Sequence, residues 1–122
     1  MTLPALHGII ANSFMYFAAL IAAWALLMLL RGQEAGGSFW GAVVVGEALA
    51  VIQALIGIIM LVQGLMPARM IHFLYGVVTV LTWPAVFAFT KGGTSRRDTL
   101  FWFMVSAFLV GIALRASATA AG

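Results

Sequence analysis

Hydrophobic positions in this chain fill four long runs separated by short polar segments, with no alternation that would suggest half-buried strands. The first run covers residues 5–30 and stops at RGQEAGGS, where charges and glycines interrupt it. The second covers residues 39–64 and ends at GLMPAR, with Gly64 and Pro67 punctuating a tight turn that holds the next helix alongside. The third covers residues 70–89 and contains Pro84, which removes a backbone donor and is expected to bend it. The fourth covers residues 99–116, after the basic turn TKGGTSRRD. At 1.5 Å per residue the first run reaches roughly 35 to 40 Å, enough to cross a bilayer with tilt. In lipid only a helix satisfies its own backbone groups, so the pattern predicts one all-α domain over residues 1–122: an integral membrane four-helix up-down bundle.

Small and polar residues mark the faces on which these helices are expected to meet, because contacts in lipid favour side chains that let backbones approach. Gly46, Ala50, Gln53, Gly57 and Gly64 line one stripe of the second helix, and His7, Ala11, Ala18, Ala22 and Ala25 line one of the first. His72, Gly76, Thr79 and Trp83 do so in the third, and Ala107, Gly111 and Arg115 in the fourth. A weak repeat relates the halves. A histidine near the start of the first and third helices is followed by an aromatic pair, Phe39-Trp40 or Phe101-Trp102, at the start of the second and fourth.

Composition supports the class. The chain has 122 residues, 65% hydrophobic and 7% charged, with mean hydropathy +1.16, more apolar side chain than a soluble core of this size hides. The net charge of +3 does not point to nucleic acid, because the six Lys and Arg residues are spread over connections and helix ends. Arg31, Lys91, Arg96 and Arg97 fall on one side, against Arg69 and Arg115 on the other, which predicts the first side to be cytoplasmic and both termini to face outward. The aromatic pairs are expected in an interfacial belt on the cytoplasmic side. The N-terminal stretch MTLPALHGII lacks a basic n-region, so the first helix is expected to be retained, and the expected location is a bacterial inner membrane. Having no cysteine excludes disulfides, thiolate metal sites and thioether-linked haem.

His7 and His72 are the only histidines, and both sit near the outward ends of odd-numbered helices, which are diagonal neighbours in an up-down bundle. Two neutral imidazoles at one level can supply both axial ligands of a b-type haem. Gly76 and Ala11, one turn from each, would give the macrocycle room. Arg69 and Arg115 would pair with its propionates, and Gln63 would donate to them or orient an imidazole. A bare zinc or copper ion would want further ligands that the chain does not offer nearby. The plainer reading is that each histidine bonds to headgroups, water or a loop carbonyl.

Glu47 stands about two turns into the second helix, roughly 12 Å deep, where an ionised carboxylate is expensive. It reads either as a proton carrier or cation site, as in small multidrug transporters, or as a hydrogen-bonded link to a neighbouring helix or subunit. Gln53 on the same stripe reads as interhelical glue. Asn12, Ser13, Thr79, Thr82 and Ser106 are expected to bond back to their own helices, no nucleophile set is present, and GGT lacks the spacing of a phosphate loop. No enzyme signature is present.

With LPALHGII and MIHFLYG each supplying one histidine, the chain resembles in architecture the four-helix membrane cytochromes of b type, including the b561-like proteins. The resemblance implies one non-covalent haem held by His7 and His72. Two-haem members carry four intramembrane histidines, and this chain has two. The leading expectation is therefore an electron-transfer component of a respiratory or photosynthetic assembly, with other membrane subunits, a quinone or a cytochrome as partner. The alternatives are a cofactor-free accessory subunit and a small proton-coupled transporter using Glu47.

Overall fold

A computed structural model describes residues 2–121, with side chains through Ala118. It contains four helices, α1 Leu3–Arg31, α2 Gly37–Val62, α3 Ile71–Thr90 and α4 Arg96–Ala121, and each is long and apolar enough to cross a membrane. They form a four-helix bundle. α1 lies against α2 and α4, α3 lies against the same two, and α1 and α3 stand on a diagonal as up-down connectivity requires. Among the four seams, the one between α2 and α3 is the loosest.

The helix ends follow local chemistry. Thr2 caps α1 by accepting from the Ala5 backbone N–H at 3.2 Å, ahead of Pro4 in the first turn. Gly32 then ends α1 in the left-handed region, with Gln33 N–H donating to Met28 O at 2.9 Å. α2 ends in the same way on Gly64, where Leu65 N–H reaches Met60 O at 2.9 Å. Gly64 is thus an exposed turn residue outside the helix, which removes it from the interior stripe. α4 starts three residues earlier than the hydrophobic pattern suggests. Ser95 and Asp98 form a capping box, with Asp98 N–H donating to Ser95 Oγ at 3.2 Å and Ser95 N–H to Asp98 Oδ2 at 3.3 Å. α3 continues as one helix through Pro84.

The interior is aromatic and small together. Trp83, Trp102, Phe39, Ile21, Leu109 and Ser106 are the largest fully buried side chains, and Ala18, Ala25 and Ala50 let the helices close around them. Gly46 is buried where the Trp83 ring crosses α2: a Cβ there would stand 2.6 Å from Trp83 Cζ3. The stripes expected on α1 and α2 do face inward as far as Ala25 and Gly57. On α4 the expected face is wrong: Ala107, Gly111 and Arg115 are exposed, and Thr99, Trp102, Ser106 and Leu109 are buried instead. Packing decides there: Trp102 stacks edge to face on Phe39 and Trp40, and Ser106 accepts from the Trp83 indole, which turns this face of α4 inward. Phe39 and Trp102, one from each aromatic pair, are 1% exposed and pack edge to face at 5.9 Å inside the bundle, with Trp40 and Phe101 half-buried beside them. Outward faces carry Leu20, Val44, Ile58, Leu81, Phe89 and Phe108, a surface suited to hydrocarbon.

Candidate functional site

His7 lies in the second turn of α1 and His72 in the first turn of α3, so diagonal helices bring them to one end of the bundle. Their ring centroids are 6.3 Å apart with planes at 64°. Both side chains are half-buried. His72 Nδ1–H donates to the backbone oxygen of Ala116 on α4 at 2.8 Å. A carbonyl only accepts, so this bond puts a proton on Nδ1. His7 is seated against α2, where a Cβ on Gly57 would stand 3.5 Å from its Cε1. Its Nδ1 is buried and has no hydrogen-bond partner.

Two imidazoles that would share one metal, each nitrogen about 2 Å from it, need ring centres within roughly 6 Å of one another. The observed spacing fits that requirement. The tie from His72 to Ala116 O is the kind of outer contact that fixes tautomer and ring direction in a ligating histidine. Among the described residues no group of three or more His, Cys, Asp or Glu comes together, so the donor set at this end is the imidazole pair. That set suits a cofactor which brings its own equatorial ligands.

The other residues expected around this pair are distributed less tightly. Arg69 lies in the turn before α3, exposed, with its carbonyl accepting from His72 N–H at 3.1 Å. Arg115 is exposed on α4, next in sequence to the Ala116 that anchors His72. Both arginines therefore sit at the histidine end, on its outside. Gln63 is the exposed C-cap of α2, where its backbone N–H closes the last turn. Gly76 faces outward with open space around it, so it does not make room beside the rings; Gly57 and the half-buried Ala11 stand on the inward faces instead. Gln53, one turn before Gly57, is half-buried and its Oε1 has no partner.

Two contributors escaped the sequence reading. Ala116 acts through a backbone oxygen, which has no side-chain signature. Gly57 was legible as an interior residue but not as the seat of His7. Ser106, expected to bond within its own helix, instead accepts from Trp83 Nε1 at 3.1 Å in the core. Ser13, Thr79 and Thr82 do bond back one turn, to Ile9, Tyr75 and Val78. Glu47 is half-buried on α2, roughly 15 Å along the helix from Gly57 at 1.5 Å per residue, and thus well separated from the histidines. Comparison with family models, with curated proteins and with solved structures gives no match to this chain.

Proposed function

We propose that this protein is a small electron-transfer component of a bacterial inner membrane, holding one b-type haem between His7 and His72 near the extracytoplasmic end. The observation that carries the reading is the 6.3 Å separation of two imidazoles on diagonal helices, with one of them oriented by a backbone carbonyl. Bound there, the haem would supply reversible one-electron chemistry. The chain's part is to hold and aim the two rings: His72 through Ala116 O, His7 through the close approach of Gly57. Arg69 and Arg115, at the same end, supply positive charge for the propionates. The distribution of Lys and Arg supports an orientation with both termini outside, and the partner is a quinone, a cytochrome or a neighbouring subunit of a respiratory or photosynthetic complex.

A reduced-minus-oxidised absorbance spectrum of the purified protein tests this directly. The expected result is a b-type difference spectrum, lost in His7→Ala and in His72→Ala. A native protein without that spectrum, or a spectrum untouched by His72→Ala, overturns the reading. One observation favours the accessory-subunit reading in that event: Gly76, Ala107 and Gly111 leave small residues on the outer surface, where another transmembrane helix packs closely.

A further inference from the structure

At the end of the bundle opposite the histidines, a cleft of about 250 Å³ opens where the α1–α2 connection meets the α3–α4 connection. Gln33 and Glu34, past the end of α1, and Thr94 and Arg96, at the start of α4, supply its polar walls, and Met28 and Leu29 an apolar one. Glu34 and Arg96 are its two charged residues, and they do not pair with each other. Among the described residues, Arg96 Nη1 donates to Leu29 O at 2.8 Å, and Glu34 Oε2 accepts from the Thr94 hydroxyl at a long 3.5 Å. Nearby charges are engaged elsewhere or lie outside the cleft: Asp98 accepts from Ser95, Arg97 sits over the Phe101 ring, and Arg31 and Lys91 are exposed. Each charge on the cleft also stands where a helix dipole disfavours it, since Glu34 lies just past the carbonyl end of α1 and Arg96 is the first residue of α4. A negative pole and a positive pole thus share one cleft, and a group of opposite charge would relieve each.

We propose that this cleft seats the headgroup of phosphatidylethanolamine, a zwitterionic amine phospholipid, with its phosphate on Arg96 and its ammonium on Glu34. Both charges of the headgroup then meet an opposite charge, and the ammonium brings N–H donors for the carboxylate. Other occupants meet less of the site. An anionic headgroup without an amine is repelled by Glu34, and a metal cation or polyamine by Arg96. A choline headgroup carries the right charges but has no N–H to give the carboxylate. Position selects a lipid over a free zwitterion. The cleft lies at the ends of two helices long and apolar enough to cross a membrane, at headgroup level. Leu30 and Leu100, next in sequence to Leu29 and Thr99 of the cleft wall, are 75% and 44% exposed and offer acyl chains an apolar flank. The volume is adequate, since a smaller cavity of about 150 Å³ already takes benzene.

The test is native mass spectrometry of the full chain in detergent, titrated with phospholipids of matched acyl chains. The expected result is one phosphatidylethanolamine retained per chain, bound about threefold or more tighter than phosphatidylglycerol or phosphatidylcholine, a preference of the size that exposed charge pairs support. Glu34→Gln should remove most of this preference, and Glu34→Lys should reverse it in favour of phosphatidylglycerol. Arg96→Gln should weaken all three lipids, while Arg96→Lys keeps the charge and most of the affinity. Circular dichroism and gel filtration establish which variants fold. Glu34 is exposed in a connection, so its two variants carry the test if Arg96→Gln, which also loses the contact to Leu29 O, does not fold. Equal affinity of the native chain for the three lipids, or a preference unchanged in Glu34→Gln, overturns the proposal. So does displacement of the lipid by an equal concentration of glycerophosphoethanolamine, which would make the cleft a site for a soluble zwitterion. The cleft does not depend on the haem reading, and the same lipid preference is expected in His72→Ala.

Discussion

Trp83 shows how much a single side chain organises here. Its ring packs 5.4 Å from Phe14 across the bundle diagonal and crosses α2 at Gly46, while its indole N–H donates to Ser106 on α4. Ser106→Ala leaves that donor buried and unpaired, at a cost of about 1–3 kcal/mol. Thermal unfolding in detergent should show a lower midpoint for this variant, and Ser106→Ala combined with Trp83→Phe should lose less than the two single changes together. Gly46→Ala is expected to destabilise by about 1–3 kcal/mol as well, because its Cβ would press on buried indole carbon rather than on a flexible chain end. The sequence placed Gly46 on an interior stripe through the rule that small residues let helix backbones approach. The stripe was right and the neighbour different: the glycine makes room for a ring, and only the fold reveals which.

Helix existence was legible because an apolar run of about eighteen residues or more has one satisfactory conformation in lipid. Helix faces were legible only where polar or small residues broke the symmetry. α1 and α2 carry alanine and glycine stripes that do turn inward, whereas α4 is apolar all round, and its Ala107, Gly111 and Arg115 face out. Hydropathy gives no reason there for Trp102 to be in and Phe108 to be out; shape against α2 and α3 does. The ends were less legible still, since capping chemistry sits in the polar connections. Ser95 and Asp98 extend α4 past the apolar run, and α3 closes on Lys91, whose φ of 54° puts a non-glycine residue in the left-handed region. Gly92 N–H donates to Phe87 O at 3.1 Å across this turn, so the conformation is tied in place. Lys91→Gly should therefore stabilise the protein by about 1 kcal/mol, seen as a higher unfolding midpoint. A lower midpoint would mean that the lysine charge contributes more than its backbone strain costs.

Orientation decides which compartment the histidine pair would serve. Arg31, Lys91, Arg96 and Arg97 gather at one end, and two of them are also built into the structure: Arg96 Nη1 donates to Leu29 O at 2.8 Å, and the Arg97 guanidinium lies 5.4 Å from the Phe101 ring centre. Arg69 and Arg115 stand at the histidine end. Basic residues near helix ends are retained on the cytoplasmic side, so the larger group is expected inside and the histidines outside. A periplasmic reporter such as alkaline phosphatase, fused after the last residue, should then be active, and a fluorescent protein that matures only in the cytoplasm should stay dark. Replacing Arg31, Lys91 and Arg97 by glutamine, with Arg96 left to hold Leu29, removes most of the asymmetry without that contact and should yield mixed topology. If the original chain instead places its C-terminus in the cytoplasm, the histidine end faces the cytoplasm. Topology thus sets which aqueous compartment the histidine pair faces, and with it the side from which a redox partner of that pair would have to approach.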